Sequence, residues 1–147
     1  MAHRAETVPR ATWAARWTGT LLCLAVAVIH VLDQGGITAT RDPHYVGVAY
    51  HVLEVAAVVA AVLLLVGLVR PGWLLAVGVA VGPLLGYILS RGPGLPGYSD
   101  DIGNWTEPLG LVSLAVEGAL LLLSVPFFVR SVRRRGTSRA AARQTGR

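Results

Sequence analysis

The chain has 147 residues, of which 54% are hydrophobic and only 14% charged, with a mean hydropathy of +0.59. Soluble domains carry about a quarter charged residues, so this is the composition of a membrane protein. The net charge of +5 comes from 13 arginines and no lysine, and these arginines flank apolar stretches. They imply contact with the lipid bilayer and its anionic headgroups rather than with nucleic acid. The single cysteine, Cys23, excludes an intramolecular disulfide and a cysteine-based zinc site.

In chain order, residues 1–12 read as a polar cytoplasmic tail. Trp13, Arg16 and Trp17 mark an interface, and the apolar run that follows ends at His30, Asp33 and Gln34. About 20 residues from Trp13 suffice to cross roughly 30 Å of hydrocarbon. A cleaved signal peptide is the alternative, but the apolar region is too long and no small-x-small cleavage site follows it. After the loop Gly35–Pro43, Asp42 and Pro43 predict an N-cap and first helical position. The second span covers His44–Val69. Arg70-Pro71-Gly72 reads as a tight turn, and Trp73 opens a third span that ends near Ser90. Gly78, Gly82 and Gly86 form a small-xxx-small ridge on it, suited to close helix packing within the chain or between chains, and Pro83 predicts a local kink. The outer loop, 91–107, is rich in Gly and Pro. Glu107-Pro108 starts the fourth span, which ends near Val129 with Pro126 bending its last turn. Residues 131–147 form an arginine-rich cytoplasmic tail without predicted regular structure.

The fold class is therefore all-α: a polytopic membrane protein with four transmembrane helices, spans about 13–33, 44–69, 73–90 and 108–129, in an antiparallel up-down bundle. Topology follows from charge. Arg4, Arg10, Arg16, Arg70, Arg130, Arg133, Arg134, Arg135, Arg139, Arg143 and Arg147 fall on one side of the bundle, whereas only Arg41 and Arg91 fall on the other, beside Asp33, Asp42, Asp100, Asp101 and Glu107. The positive-inside rule places both termini in the cytoplasm of a cell with this inner (plasma) membrane and the long loop outside. The all-round hydrophobicity of the spans excludes a helix lying on the membrane surface.

Ionisable groups are costly inside a bilayer and face the bundle interior. Glu54 and Glu117 lie roughly 14–17 Å from the outer helix ends, near mid-bilayer. His51 lies about one turn nearer the outside and His30 near the outer end of its helix. Helical spacing puts Cys23, Val26, His30 and Asp33 on one stripe, His44, Gly47, His51 and Glu54 on a second, and Gly110, Ser113, Glu117 and Ser124 on a third. Three such stripes predict an outward-facing polar pocket roofed by the loop, with Asp33, His44, Arg91, Asp101, Asn104, Trp105 and Glu107 about its mouth. His30, His51, Glu54 and Glu117 are acceptable ligands for a metal ion, and the two histidines are the candidates for haem. Di-iron bundles, however, use Glu-x-x-His with more carboxylates. Burial favours the neutral form of an acid, so an acid paired with histidine also resembles a proton relay, as in a proton-linked small-solute transporter; four helices would then require a homo-oligomer. The bland alternative is an accessory subunit, bound to a membrane-protein partner, whose His and Glu groups only set helix packing. Cys23 reads as a small packed residue. No P-loop, GxSxG, HExxH or CxxC motif supports soluble-type catalysis.

The run SRGPGLPGYSDDIGNWTEPLGLVSLAVEG resembles a segment of small four-span membrane proteins of high-GC actinobacteria. Those show an SR-x-x-GLPG stretch, here Ser90-Arg91 and Gly94–Gly97, and a D-x-G-x-W-x-EPLG stretch, here Asp101–Trp105 and Glu107–Gly110. They also carry a buried acid on the last helix, here Glu117. The resemblance extends over residues 17–130. It implies fold and membrane location, and no activity.

Overall fold

The computed structural model describes the backbone of residues 10–145 and the side chains of residues 12–133. Most of the expected N-terminal tail, and the side chains of Arg4, Arg10, Arg134, Arg135, Arg139, Arg143 and Arg147, lie outside the described residues. Four helices follow one another: α1 (Arg10–Gln34), α2 (His44–Leu65), α3 (Val69–Arg91) and α4 (Pro108–Thr145). Each has a segment long and apolar enough to cross a membrane: Thr12–Gln34, His44–Leu65, Val69–Arg91 and Pro108–Arg133. Sequence neighbours pack as antiparallel pairs, and α1 also packs on α4, which closes the bundle. Helix satisfies the backbone within each span, as hydrocarbon requires. The backbone of α4 stays helical to Thr145, beyond the expected end near Val129.

The helix ends show which local signals operate. Glu107 caps α4 as its sequence predicts: its carboxylate accepts from the backbone N–H of Leu109 (2.9 Å) and Gly110 (2.6 Å), with Pro108 at the first position. Asp42 does not cap α2. Pro43 occupies the cap position with extended backbone (φ −69°, ψ 155°) and offers no side-chain acceptor. The turn between α2 and α3 also lies earlier than Arg70-Pro71-Gly72. Gly67 adopts φ +85°, and Leu68 N–H reaches back to Leu63 O at 2.9 Å, a helix end that glycine suits. Arg70, Pro71 and Gly72 then form the first turn of α3, where proline costs no hydrogen bond. Arg16 donates to the last carbonyls of α2, Leu64 O and Leu65 O, both at 2.8 Å, and Arg70 donates to Ser131 O at 2.9 Å. As well as marking charge, Arg16 is thus a structural cap of α2, and Arg70 a tie between α3 and α4.

The core is densest at the end of the bundle that holds the Val66–Leu68 turn. Trp73 is 2% exposed, stacks on Phe127 with centroids 5.2 Å apart, and lies against Gly19. Ala57, Ala60, Ala61, Ala76 and Ala80 bring α2 and α3 close to their neighbours. Toward the 91–107 loop this packing stops. Buried residues on α2 skip from Gly47 to Ala57, and on α3 from Ala80 to Tyr87. Gly82 and Gly86 of the glycine ridge lie in the second gap, and the ridge packs against no helix: a Cβ added at Gly78, Gly82 or Gly86 meets nothing within 4 Å. Helices α2 and α3 are joined tightly at one end and leave a space between them at the other.

This asymmetry predicts opposite effects of enlarging two helical glycines. A Cβ at Gly19 would sit 2.7 Å from the Trp73 ring, so Gly19→Leu should lower stability by about 1–3 kcal/mol or more, the range for overpacking. Gly82→Leu should leave the melting temperature in detergent unchanged or raise it. Thermal denaturation of the two variants checks both.

Candidate functional site

The space between α2 and α3 is a cavity of about 540 Å³ in the loop half of the bundle. Gly78, Gly82, Pro83 and Gly86 form its α3 wall, and Ala49, Val52, Leu53 and Ala56 its α2 wall. These side chains are too small to meet, which is why the space exists. Val52 is 62% exposed, so the cavity borders the lipid-facing surface. His30 and Asp33 from α1, and Gly110, Ser113 and Glu117 from α4, form the inner wall. Leu95, Tyr98 and Asp101 close the loop end.

Deeper than Asp33, the inner wall carries one acid, Glu117, and one histidine, His30. Glu117 is 1% exposed; Ser113 Oγ donates to its Oε1 at 2.5 Å, from one turn earlier on the same helix. His30 Nε2 lies 3.8 Å from that Oε1, beyond hydrogen-bond length. His30 Nδ1 is 2.9 Å from Val26 O. A carbonyl oxygen only accepts, so Nδ1 carries the proton, and Nε2 is either a free acceptor or the second donor of an imidazolium.

The other two proposed ligands lie elsewhere. The stripe of His44, Gly47, His51 and Glu54 does not face the cavity; α2 turns Val46, Ala49, Tyr50 and Leu53 toward it. Glu54 Oε1 accepts from Gln34 Nε2 of α1 at 2.7 Å. His51 Nδ1 and Gln34 Oε1 are buried without a hydrogen-bond partner, and His44 is exposed. Among the described residues no three His, Cys, Asp or Glu side chains come together as a metal site would require. Cys23 is fully buried in the apolar core.

At the mouth, Arg91 organises the loop. Its Nε donates to Asn104 O at 2.9 Å and its Nη1 to Ser90 Oγ at 3.2 Å. Asp101 and Glu107 lie 3.6 and 3.7 Å from its guanidinium, which sits 4.0 Å from the Tyr87 ring centroid. The backbone joins in: Gly103 N–H donates to Arg91 O at 2.9 Å. Tyr87 donates to Trp105 O at 2.7 Å and meets the Trp105 ring edge-on. Arg41 does the same on the opposite side of the mouth, pairing with Asp33 at 3.0 Å and donating to Tyr98 Oη at 3.0 Å. Tyr98 donates to Asp101 at 2.9 Å, Tyr45 to Pro96 O at 2.8 Å, and Tyr50 to Asp33. Burial and the bond to Asp101 push the Tyr98 hydroxyl above its ordinary pKa, so it remains a donor.

Sequence reasoning named Asp33, Arg91, Asp101 and Glu107, which meet here; Asn104 contributes its carbonyl, with Trp105 as a ring neighbour. It missed Arg41 and the tyrosines. All four tyrosines of the chain, Tyr45, Tyr50, Tyr87 and Tyr98, line the cavity. Their clustering at one end of the spans was the available signal. Comparison with protein-family models, with curated proteins and with solved structures finds no match.

Removing the Arg91 guanidinium should release the loop without unfolding the bundle. In Arg91→Ala, amide hydrogen exchange at Gly103 and Asn104 should speed up by tenfold or more, while exchange at Ala57–Leu64 stays protected. Unchanged loop exchange would show that the tyrosine and backbone bonds hold the loop alone.

Proposed function

We propose that this protein, which spans the membrane four times, binds a small organic molecule in the cavity between α2 and α3. The observation that carries the reading is the cavity itself: about 540 Å³, within the range of small-molecule sites, with apolar walls and a few convergent polar groups at Ser113, His30 and Glu117. The loop-end contacts of Arg91 and Arg41 support an ordered site, since they tie the cover to α3, α4 and the α1–α2 connection. A metal ion or haem is less well supported, because His51 and Glu54 stand apart from His30 and Glu117. The accessory reading keeps one specific support. The Gln34–Glu54 bond joins α1 to α2 away from the cavity, so that acid serves helix packing.

The reading requires a bound molecule that depends on the cavity. Native mass spectrometry of protein released from mild detergent should show a small-molecule adduct, and Gly82→Leu, which fills the cavity, should lose it while keeping its melting temperature. An adduct equally present in both, or absent from both, would contradict the reading.

The proposed topology has both termini in the cytoplasm and the cavity mouth outside, on the strength of the arginine distribution. A cysteine introduced at exposed Ser99 in a Cys23→Ala background should react with a membrane-impermeant maleimide on intact cells. Reaction only after permeabilisation would reverse the orientation.

A further inference from the structure

The charges around the cavity narrow what it can hold. Both guanidiniums at its mouth are already paired, Arg41 with Asp33 and Arg91 with Asp101 and Glu107. Neither is left to receive a phosphate or carboxylate headgroup. Two of the aromatic faces that could receive a cation are also engaged: Arg91 covers Tyr87 at 4.0 Å, and Tyr50 has Arg41 at 5.4 Å and the His30 ring at 5.5 Å. A neutral ligand remains.

Shape narrows it further. Gly78, Gly82 and Gly86 recur at i, i+4 and i+8, so one face of α3 presents bare backbone to the cavity. This strip of bare backbone, flanked by Leu75, Val79 and Pro83, leaves room for a flat ring. The mouth beside exposed Val52 opens to the lipid-facing surface, so an apolar tail attached to that ring can stay in the bilayer. The one imidazole nitrogen in the inner wall without a hydrogen bond is His30 Nε2, 3.8 Å from Glu117. As an imidazolium it donates from Nε2 to a carbonyl oxygen; as the neutral Nδ1–H tautomer it accepts there from a hydroxyl.

Resting on the small-molecule reading above, we propose that the cavity holds the ring of a neutral isoprenoid quinone or quinol, with its tail passing between α2 and α3 into the lipid. His30 binds the ring oxygen through Nε2, with Glu117 beside it in the same wall. Both redox forms of the ring are accommodated because Nε2 can donate or accept, and the proposal concerns binding alone.

The test uses the full chain in phosphatidylcholine nanodiscs and a tritiated 2-methyl-1,4-naphthoquinone bearing a short isoprenoid tail. Saturable binding near one per chain is expected, weakened about tenfold or more in His30→Ala, as loss of a hydrogen bond at a charged or chargeable group implies, and abolished in Gly82→Leu. Should His30→Ala fold poorly, Val52→Trp at the lipid-facing mouth substitutes for it and should also reduce binding. Saturable, Gly82-dependent binding of labelled tetraphenylphosphonium or diacylglycerol, with no saturable quinone binding, would overturn the ligand class and leave the small-molecule reading standing. Failure of all three probes, together with no Gly82-dependent adduct, would overturn both. Quinone binding unaffected by every variant would place it in the lipid rather than in the cavity, and would also overturn the proposal.

Discussion

The structure depends on an unequal packing of α2 and α3. At the Val66–Leu68 turn the two helices are pinned: Gly72 lies against Leu64, and Trp73 fills the groove beside Gly19 and Phe127. At the other end Ala49 and Ala56 on α2 and Gly78, Gly82 and Gly86 on α3 supply too little side-chain volume to close the space. In a bilayer, apolar surface gains nothing from leaving lipid for protein, so contact there comes from close packing and polar bonds. Where small residues do not meet, the helices have no reason to approach.

The loop end is therefore held by polar contacts rather than by a core. Arg91 joins the end of α3 to the loop and to the Glu107 cap of α4, and Arg41 joins the α1–α2 connection to Asp33 and Tyr98. Because each guanidinium has acidic partners, the mouth is nearly neutral despite its density of charge. That neutrality leaves the His30–Glu117 pair, one turn or more below, as the chemically distinctive feature of the cavity.

Much of the architecture was legible in the sequence, because it is written in long apolar runs and in strong local signals. Glu107-Pro108 starts α4 as read, and the stripes through His30 and Glu117 do face inward. The α2 stripe misled because helical spacing shows which residues share a face, not which neighbour that face meets; His51 and Glu54 share one with Gly47, and it turns toward α1. Asp42 misled because a competent capping side chain stood one residue too early, behind Pro43. The glycine ridge was visible, but its meaning was not. Glycines allow close approach and equally leave a space when nothing approaches, and only the opposite helix decides which. The tyrosines were overlooked because they are spread over three elements and meet only in the folded bundle.

The most direct test is whether the α3 wall is open to lipid. A nitroxide attached at residue 82 in a Cys23→Ala background, with the protein in liposomes, reports collision with membrane-dissolved oxygen. The account predicts accessibility comparable with that of a label at lipid-facing Leu85. Strong shielding at residue 82, with Leu85 remaining accessible, would show α2 and α3 closed against each other or covered, and would contradict it.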